Sequence, residues 1–224
     1  MKIAVLGTGM VGQALAGRLA ELGHQVTVGT RDVEATLARP GPDAMGFPPY
    51  AAWAAGQPSV RLATFAEAAA DAELVVNATA GGVSLAALEA AGAAAGTIVV
   101  DIANPLDHSA GFPPTLFVKD TDSLGERIQA AFPQLRVVKT LNTMTAALMV
   151  DPRRLAGGQH SVFVAGDDAE AKKTVAGLLE SFGHTDIIDL GDITSARGTE
   201  MVLPLWLRLM GALDTPLFNL KVVR

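Results

Sequence analysis

The chain has no cysteine, only four histidines, and fewer positive than negative side chains. Without cysteine there is no disulfide framework, no thiolate metal site and no cysteine nucleophile. His24, His108, His160 and His184 are scattered, with no pair at ligand spacing, which argues against a zinc site. Seventeen Lys and Arg against 23 Asp and Glu give a net charge of −6. That balance leaves no basic face for nucleic acid. A long hydrophobic run is also missing. The most apolar late stretch, 201–213, is too short to span a bilayer and is interrupted by Pro204 and Arg208. Met1-Lys2-Ile3 leads straight into patterned sequence, so no signal peptide is expected. These absences point to a soluble, cytoplasmic protein that binds neither nucleic acid nor membrane. What is present is 224 residues, 50% hydrophobic, with 23 glycines. A chain of this length buries roughly 70–75% of its unfolded surface and needs no metal or disulfide staple.

Short β-rich apolar runs alternate with alanine-rich helical stretches. Lys2–Leu6, Gln25–Val28, Val60–Ala63, Leu74–Asn77, Thr97–Asp101 and Arg136–Leu141 read as strands. Met10–Leu22, Phe65–Ala70, Leu85–Ala91 and Leu124–Ala131 read as helices, with Thr64 and Ser123 as N-caps. This alternation predicts an α/β fold, a Rossmann doubly wound and mostly parallel sheet. Leu74-Val75-Val76 and Ile98-Val99-Val100 are continuous apolar runs, as fully buried parallel strands should be. Two long loops, Pro40 to Pro58 and Asn104 to Pro114, interrupt the rhythm; the first reads as an irregular flap. After Gly157-Gly158 come a strand Ser161–Ala165, a helix Asp168–Ser181, a strand Thr185–Asp189 and a closing helix from about Thr194 to Leu213. The expected organisation is a dinucleotide-binding domain over 1–145 and a small C-terminal extension over 146–224 packed on the same sheet.

The strongest motif is Gly7-Thr8-Gly9-Met10-Val11-Gly12, between the first strand and the first helix. Gly7 permits the tight turn, Gly9 lets the backbone approach a pyrophosphate, and Gly12 lets helix and strand pack closely. The helix then offers free N–H groups and the positive end of its dipole to the phosphates. At the end of the second strand, an NAD site would place Asp or Glu to bind the ribose. Here the sequence is Gly29-Thr30-Arg31-Asp32, and Thr30 with Arg31 suits the 2′-phosphate of NADP. Asp32 reads either as a displaced ribose acid or as a turn residue. Ligands of open α/β sheets bind outside the carboxyl ends of the strands. Asn77 and Ala78 after the fourth strand, Asn104 after the fifth, and Asn142 and Thr143 after the sixth are therefore expected to line the nicotinamide and acceptor side. Asp101 reads equally as a turn-forming residue. His24 and His184 read as surface residues, and His108 lies in the loop beside the crevice.

The glycine loop, Gly29-Thr30-Arg31, Val137-Val138-Lys139-Thr140-Leu141-Asn142, Gly166-Asp167-Asp168 and the run from Ser195-Ala196-Arg197 to Pro204 together resemble the NADP oxidoreductases that depend on the deazaflavin coenzyme F420. The resemblance covers nearly the whole chain, and the oxidoreductase domain of the STEAP ferric reductases is similar. It implies NADP(H) on the glycine loop and on Thr30-Arg31, with a second electron carrier, a deazaflavin or flavin, laid against the nicotinamide. The archaeal deazaflavin enzymes carry a histidine where this chain has Asn142, and the Asn-Thr pair is closer to the ferric-reductase branch. That difference bears on the acceptor and leaves the cofactor fold alone. Hydride transfer between flat rings needs alignment more than an acid or base, so Asn142 is expected to position a ring.

Two other functions fit a similar fold. An imine or hydroxy-acid reductase needs a proton donor near the reduced atom. Lys139 is the one candidate beside the crevice, although it sits inside a strand. A non-catalytic NADP(H) sensor keeps the same glycine loop. The closing helix bears on assembly: Met201, Val202, Leu205, Trp206, Leu209, Met210 and Leu213 recur at helical spacing, and Leu203 and Leu207 widen the apolar face. Such a helix must be covered on most sides, and the resemblance favours a homodimer.

Overall fold

The structure, a computed structural model, describes residues 1–42 and 47–224. The chain runs β1 (Lys2–Leu6), α1 (Met10–Glu21), β2 (Gln25–Thr30), α2 (Val33–Ala38), α3 (Tyr50–Ala54), β3 (Arg61–Thr64), α4 (Phe65–Ala69), β4 (Leu74–Asn77), α5 (Ser84–Ala91) and β5 (Ile98–Asp101). A two-stranded ribbon follows, β6 (Leu106–Asp107) with β7 (Thr115–Leu116), then α6 (Leu124–Ala131) and β8 (Arg136–Thr140). The remainder is α7 (Ala146–Val150), β9 (Ser161–Ala165), α8 (Ala169–Phe182), β10 (Asp186–Asp189), α9 (Ala196–Met201) and α10 (Leu203–Leu213).

Eight strands form one sheet in the order β10-β9-β8-β5-β4-β1-β2-β3. All neighbours are parallel except β8 and β9, which meet antiparallel at Lys139–Ala165 and Thr140–Val164. The chain leaves β1 for β2 on one side and later returns to β4 on the other, so the strand order reverses between β1 and β4. The sheet is buried on both faces, and the two-residue period of a strand sorts its side chains accordingly. Ile3, Val5, Leu74, Val76, Ile98 and Val100 pack with α1, α7 and α8. Ala4, Leu6, Val75 and Val99 pack with α4, α5 and α6 on the opposite face. Thr64 and Ser123 cap α4 and α6 by accepting the N–H groups of Glu67 and Glu126.

Several boundaries differ from the sequence reading. The expected flap contains α3, and α2 precedes it. The part of the flap at 43–46 lies outside the described residues. α2 starts where Asp32 accepts from the Ala35 N–H at 2.9 Å, so Asp32 is a helix cap. The closing helix is two helices, because Pro204 has no N–H with which to continue the ladder. Among the described residues, only one stripe of α10 is buried. Leu203 and Leu207 are 5% and 9% exposed, while Leu205 and Leu213 are 54% and 53% exposed. His184 is not a surface residue. It is buried, its Nε2 lies 3.0 Å from the Met149 carbonyl, and its ring meets that of His160 edge-on at 6.2 Å. The C-terminal tail is tied back to the sheet. The Ser161 N–H donates to the Leu220 carbonyl, and Lys221 and Arg224 both pair with Asp186. These bonds and that of Ser161 hold the Asp186 carboxyl down at about 2.

Candidate functional site

The glycine loop has the geometry that its three glycines require. Gly7 has φ +117°, and a Cβ there would lie 2.6 Å from the Ala78 carbonyl oxygen. A Cβ on Gly12 would lie 2.1 Å from the Gly7 carbonyl oxygen, so the start of α1 packs directly on the turn. At Gly9 a Cβ would meet nothing within 4 Å. The two outer glycines close the turn, and the middle one leaves open space beside the backbone at the point where the strand order reverses. A pyrophosphate fits that space, facing the start of α1. Gln13 stiffens the loop by donating to the Thr8 carbonyl.

At the end of β2, Arg31 is exposed. Thr30 is buried against Thr36, with their hydroxyls 2.8 Å apart. Because the Thr36 hydroxyl donates to the Asp32 carbonyl, the Thr30 proton goes to Thr36. Of the two residues expected at a 2′-phosphate, Arg31 thus presents free donors while Thr30 holds the turn.

Beside the glycine loop, a cleft of about 230 Å³ is lined by Val11, Ala78, Thr79, Gly81, Ala103, Asn104 and His108, among others. A larger hollow of about 600 Å³ lies near Arg136, at the other end of β8. The smaller cleft is the functional candidate, since it stands outside the carboxyl ends of β4 and β5. The structure places Ala78, Asn104 and His108 on it. Three other expected lining residues are buried. Asn77 donates to Asp101 at 2.8 Å and accepts the Thr79 hydroxyl. Thr143 is buried. Asn142 spends its amide hydrogens on Asn104 Oδ1 and on the Thr199 carbonyl, 3.0 and 3.1 Å away. In return, the Asn104 side-chain amide donates to the Asn142 backbone carbonyl. Asn142 therefore clamps the loop that borders the cleft, through a side chain turned into the protein.

Under this clamp sits a charged cluster without solvent contact. Lys139 Nζ lies 2.8 Å from Asp101 and 2.9 Å from Glu200, and also donates to the Ala103 carbonyl. Glu200 in turn accepts the N–H groups of Leu124 and Gly125 at the start of α6. Arg197 reinforces the junction by pairing with Glu126 and holds that carboxyl below its usual range. Burial pushes Lys139 toward losing its proton, but Asp101 and Glu200 outweigh it and raise the pKa. With three partners on three N–H donors, Lys139 is a closed cation with no proton to present to the cleft. The cluster joins β5, β8, α6 and α9. Its first two members had a sequence signal: Asp101 and Lys139 are charges that directly follow the apolar runs Ile98-Val99-Val100 and Val137-Val138, and a buried charge needs a partner. Glu200, on a helix 76 residues beyond Leu124, had none.

Residues 2–105 match the family described as NADP oxidoreductase, coenzyme F420-dependent. The crystal structure of a candidate F420-dependent NADP reductase from Arthrobacter sp. FB24 is 64% identical over the full length of both chains, with a TM-score of 0.95. The F420-dependent NADP reductase of Methanothermobacter marburgensis is 29% identical over 215 residues, covering 93% of this chain and 92% of its own. Rat metalloreductase STEAP3 is 30% identical over 211 residues, 92% of this chain, and the match spans only 38% of that protein. None of the described helices is long and apolar enough to cross a membrane. By its glycine loop, its sheet and these relatives, the chain belongs to the coenzyme F420-dependent family of NADP oxidoreductases.

Proposed function

We propose that the protein moves hydride between NADP(H), held on the glycine loop and Arg31, and a deazaflavin or flavin-like ring lying in the cleft. The observation that carries this reading is the open space over Gly9, flanked by the exposed Arg31 on one side and the cleft of Ala78, Asn104 and His108 on the other. The dinucleotide supplies the hydride. The chain supplies backbone donors for the phosphates, a guanidinium that selects the 2′-phosphate, and a walled cleft that aligns two rings. The alternative of an imine or hydroxy-acid reductase loses Lys139 as its proton donor, since that side chain is enclosed by its three partners, and would have to draw its proton from His108 on the cleft.

We also propose a homodimer. The apolar stripe of α10 around Leu205 and Leu213 is left uncovered by its own chain, and a second copy is the partner expected to cover it. Light scattering is then expected to report about twice the 23.1 kDa of one chain, and a monomer mass would end this part of the reading.

The test of the chemistry is an acceptor panel: oxidation of NADPH with coenzyme F420, flavin mononucleotide, ferric chelates, imines and keto acids. Turnover with deazaflavin or flavin and none with imines or keto acids is expected. The reverse pattern would replace this reading by the reductase alternative.

A further inference from the structure

The peptide joining Ala103 to Asn104 is held on every side but one. Its carbonyl oxygen accepts from Lys139 Nζ. The Ala103 N–H donates to Asp101 Oδ1 at 3.2 Å, and the Asn104 side chain is locked by the reciprocal pair with Asn142. On the far side, the Asn104 carbonyl approaches Gly81 so closely that a Cβ there would lie 2.1 Å from the oxygen. The Asn104 N–H alone has no acceptor among the described residues. The only cis peptide among the described residues is Phe112-Pro113, so this one is trans, and its N–H points opposite to its C=O. Since the C=O is directed at buried Lys139, the N–H is directed away from the charged cluster, on a loop segment whose two residues both line the cleft.

We propose that the Asn104 backbone N–H is a pre-organised hydrogen-bond donor for a carbonyl or carboxamide oxygen of a ring bound in the cleft, with Lys139 as the positioning residue behind it. This rests on the reading that the cleft receives the nicotinamide and its acceptor ring. A cationic donor on the carbonyl oxygen draws electron density through the amide and makes its N–H a stronger donor. A donor fixed in advance costs no reorganisation when negative charge develops on the ring oxygen during transfer. The same arrangement explains a charged cluster that makes no contact with the cleft itself.

Amide NMR of the whole protein tests it. In the free protein the Asn104 N–H is expected to exchange rapidly with solvent; slow exchange would overturn the proposal. A downfield shift of its proton on adding NADP⁺ alone assigns the donor to the nicotinamide carboxamide. A shift that needs coenzyme F420 as well assigns it to the acceptor carbonyl. Gly9 is the internal reference. If Gly9 moves and Asn104 does not, the donor assignment fails alone; if Gly9 stays still, the cofactor reading fails and takes the donor with it. Asn104→Pro deletes the N–H, whereas Asn104→Ala deletes the clamp and keeps it. The proline variant is expected to lose a further 2- to 13-fold, roughly the worth of one neutral hydrogen bond, in binding or turnover. If it fails to fold, the shift data decide. For Lys139, the double variant Lys139→Met/Asp101→Asn removes the Lys139–Asp101 pair together and leaves Glu200 held by the N–H groups that start α6. It is expected to move the Asn104 proton upfield while Gly9 still responds to NADP⁺. An unchanged Asn104 proton would remove Lys139 from the proposal.

Discussion

At the glycine loop, Gly9 faces open space and Arg31 stands in solvent, whereas Lys139, beneath the neighbouring strand ends, makes three bonds with none. The first region works through what is absent. Side chains are missing where the backbone must come close, and its remaining donors face outward. The second works through charges that satisfy one another and face nothing outside. The difference teaches where each region is vulnerable: the loop is expected to lose ligand before stability, and the cluster to lose stability before ligand.

The sharpest way to break that contrast is Lys139→Met. It strands two buried carboxylates, and removing one partner of a buried pair costs about 3–5 kcal/mol. Urea unfolding is expected to register a loss of that size. A loss below about 1 kcal/mol would mean that the cluster is not held by its charge balance. Next comes Arg31→Ala, which should weaken NADP about 10- to 150-fold, the value of a charge-assisted hydrogen bond, and NAD much less. Titration calorimetry that finds equal losses for both cofactors would remove Arg31 from the 2′-phosphate. Gly9→Ala is milder. Its methyl enters open space, so the unfolding midpoint should hold while NADP affinity drops on the order of tenfold. A stability loss without an affinity loss would reverse the contrast at this position.

The smallest effect concerns pH. Burial, opposed by the Met149 carbonyl and aided by His160, lowers the pKa of His184 below 6.5. The unfolded chain therefore takes up this proton at a higher pH than the folded one. Its contribution is complete above pH 6.5 and is lost as pH falls through the folded pKa. Unfolding curves across that window should be less pH-dependent in His184→Gln than in the parent protein.

Sequence and structure agree best where backbone rules decide. Strand–helix alternation gave the sheet, and the glycine spacing gave the loop, because both follow from local sterics. Thr64 and Ser123 were legible as caps for the same reason. The discrepancies fall where the decision is tertiary. Asn77, Asn142 and Thr143 do follow strand ends, but strand position says nothing of which way a side chain turns, and theirs turn inward. Thr30 gives its proton to Thr36 on a helix that the sequence reading passed over. His184 reads as a surface residue and is buried because a carbonyl of α7 waits for it.

Glu200 carries a consequence for how the chain is made. The α6 N–H groups that it accepts leave the ribosome first, and Glu200 follows 76 residues after Leu124. At roughly 5–20 residues per second, that is an interval of about 4–15 s. Once β8 has followed, β1 to β5 are in place, yet Lys139 has only Asp101 for a counter-charge and α6 lacks its carboxylate. The first half of the protein is thus born before its last electrostatic contact exists. The cleft it borders takes final shape only once α9 has been synthesised.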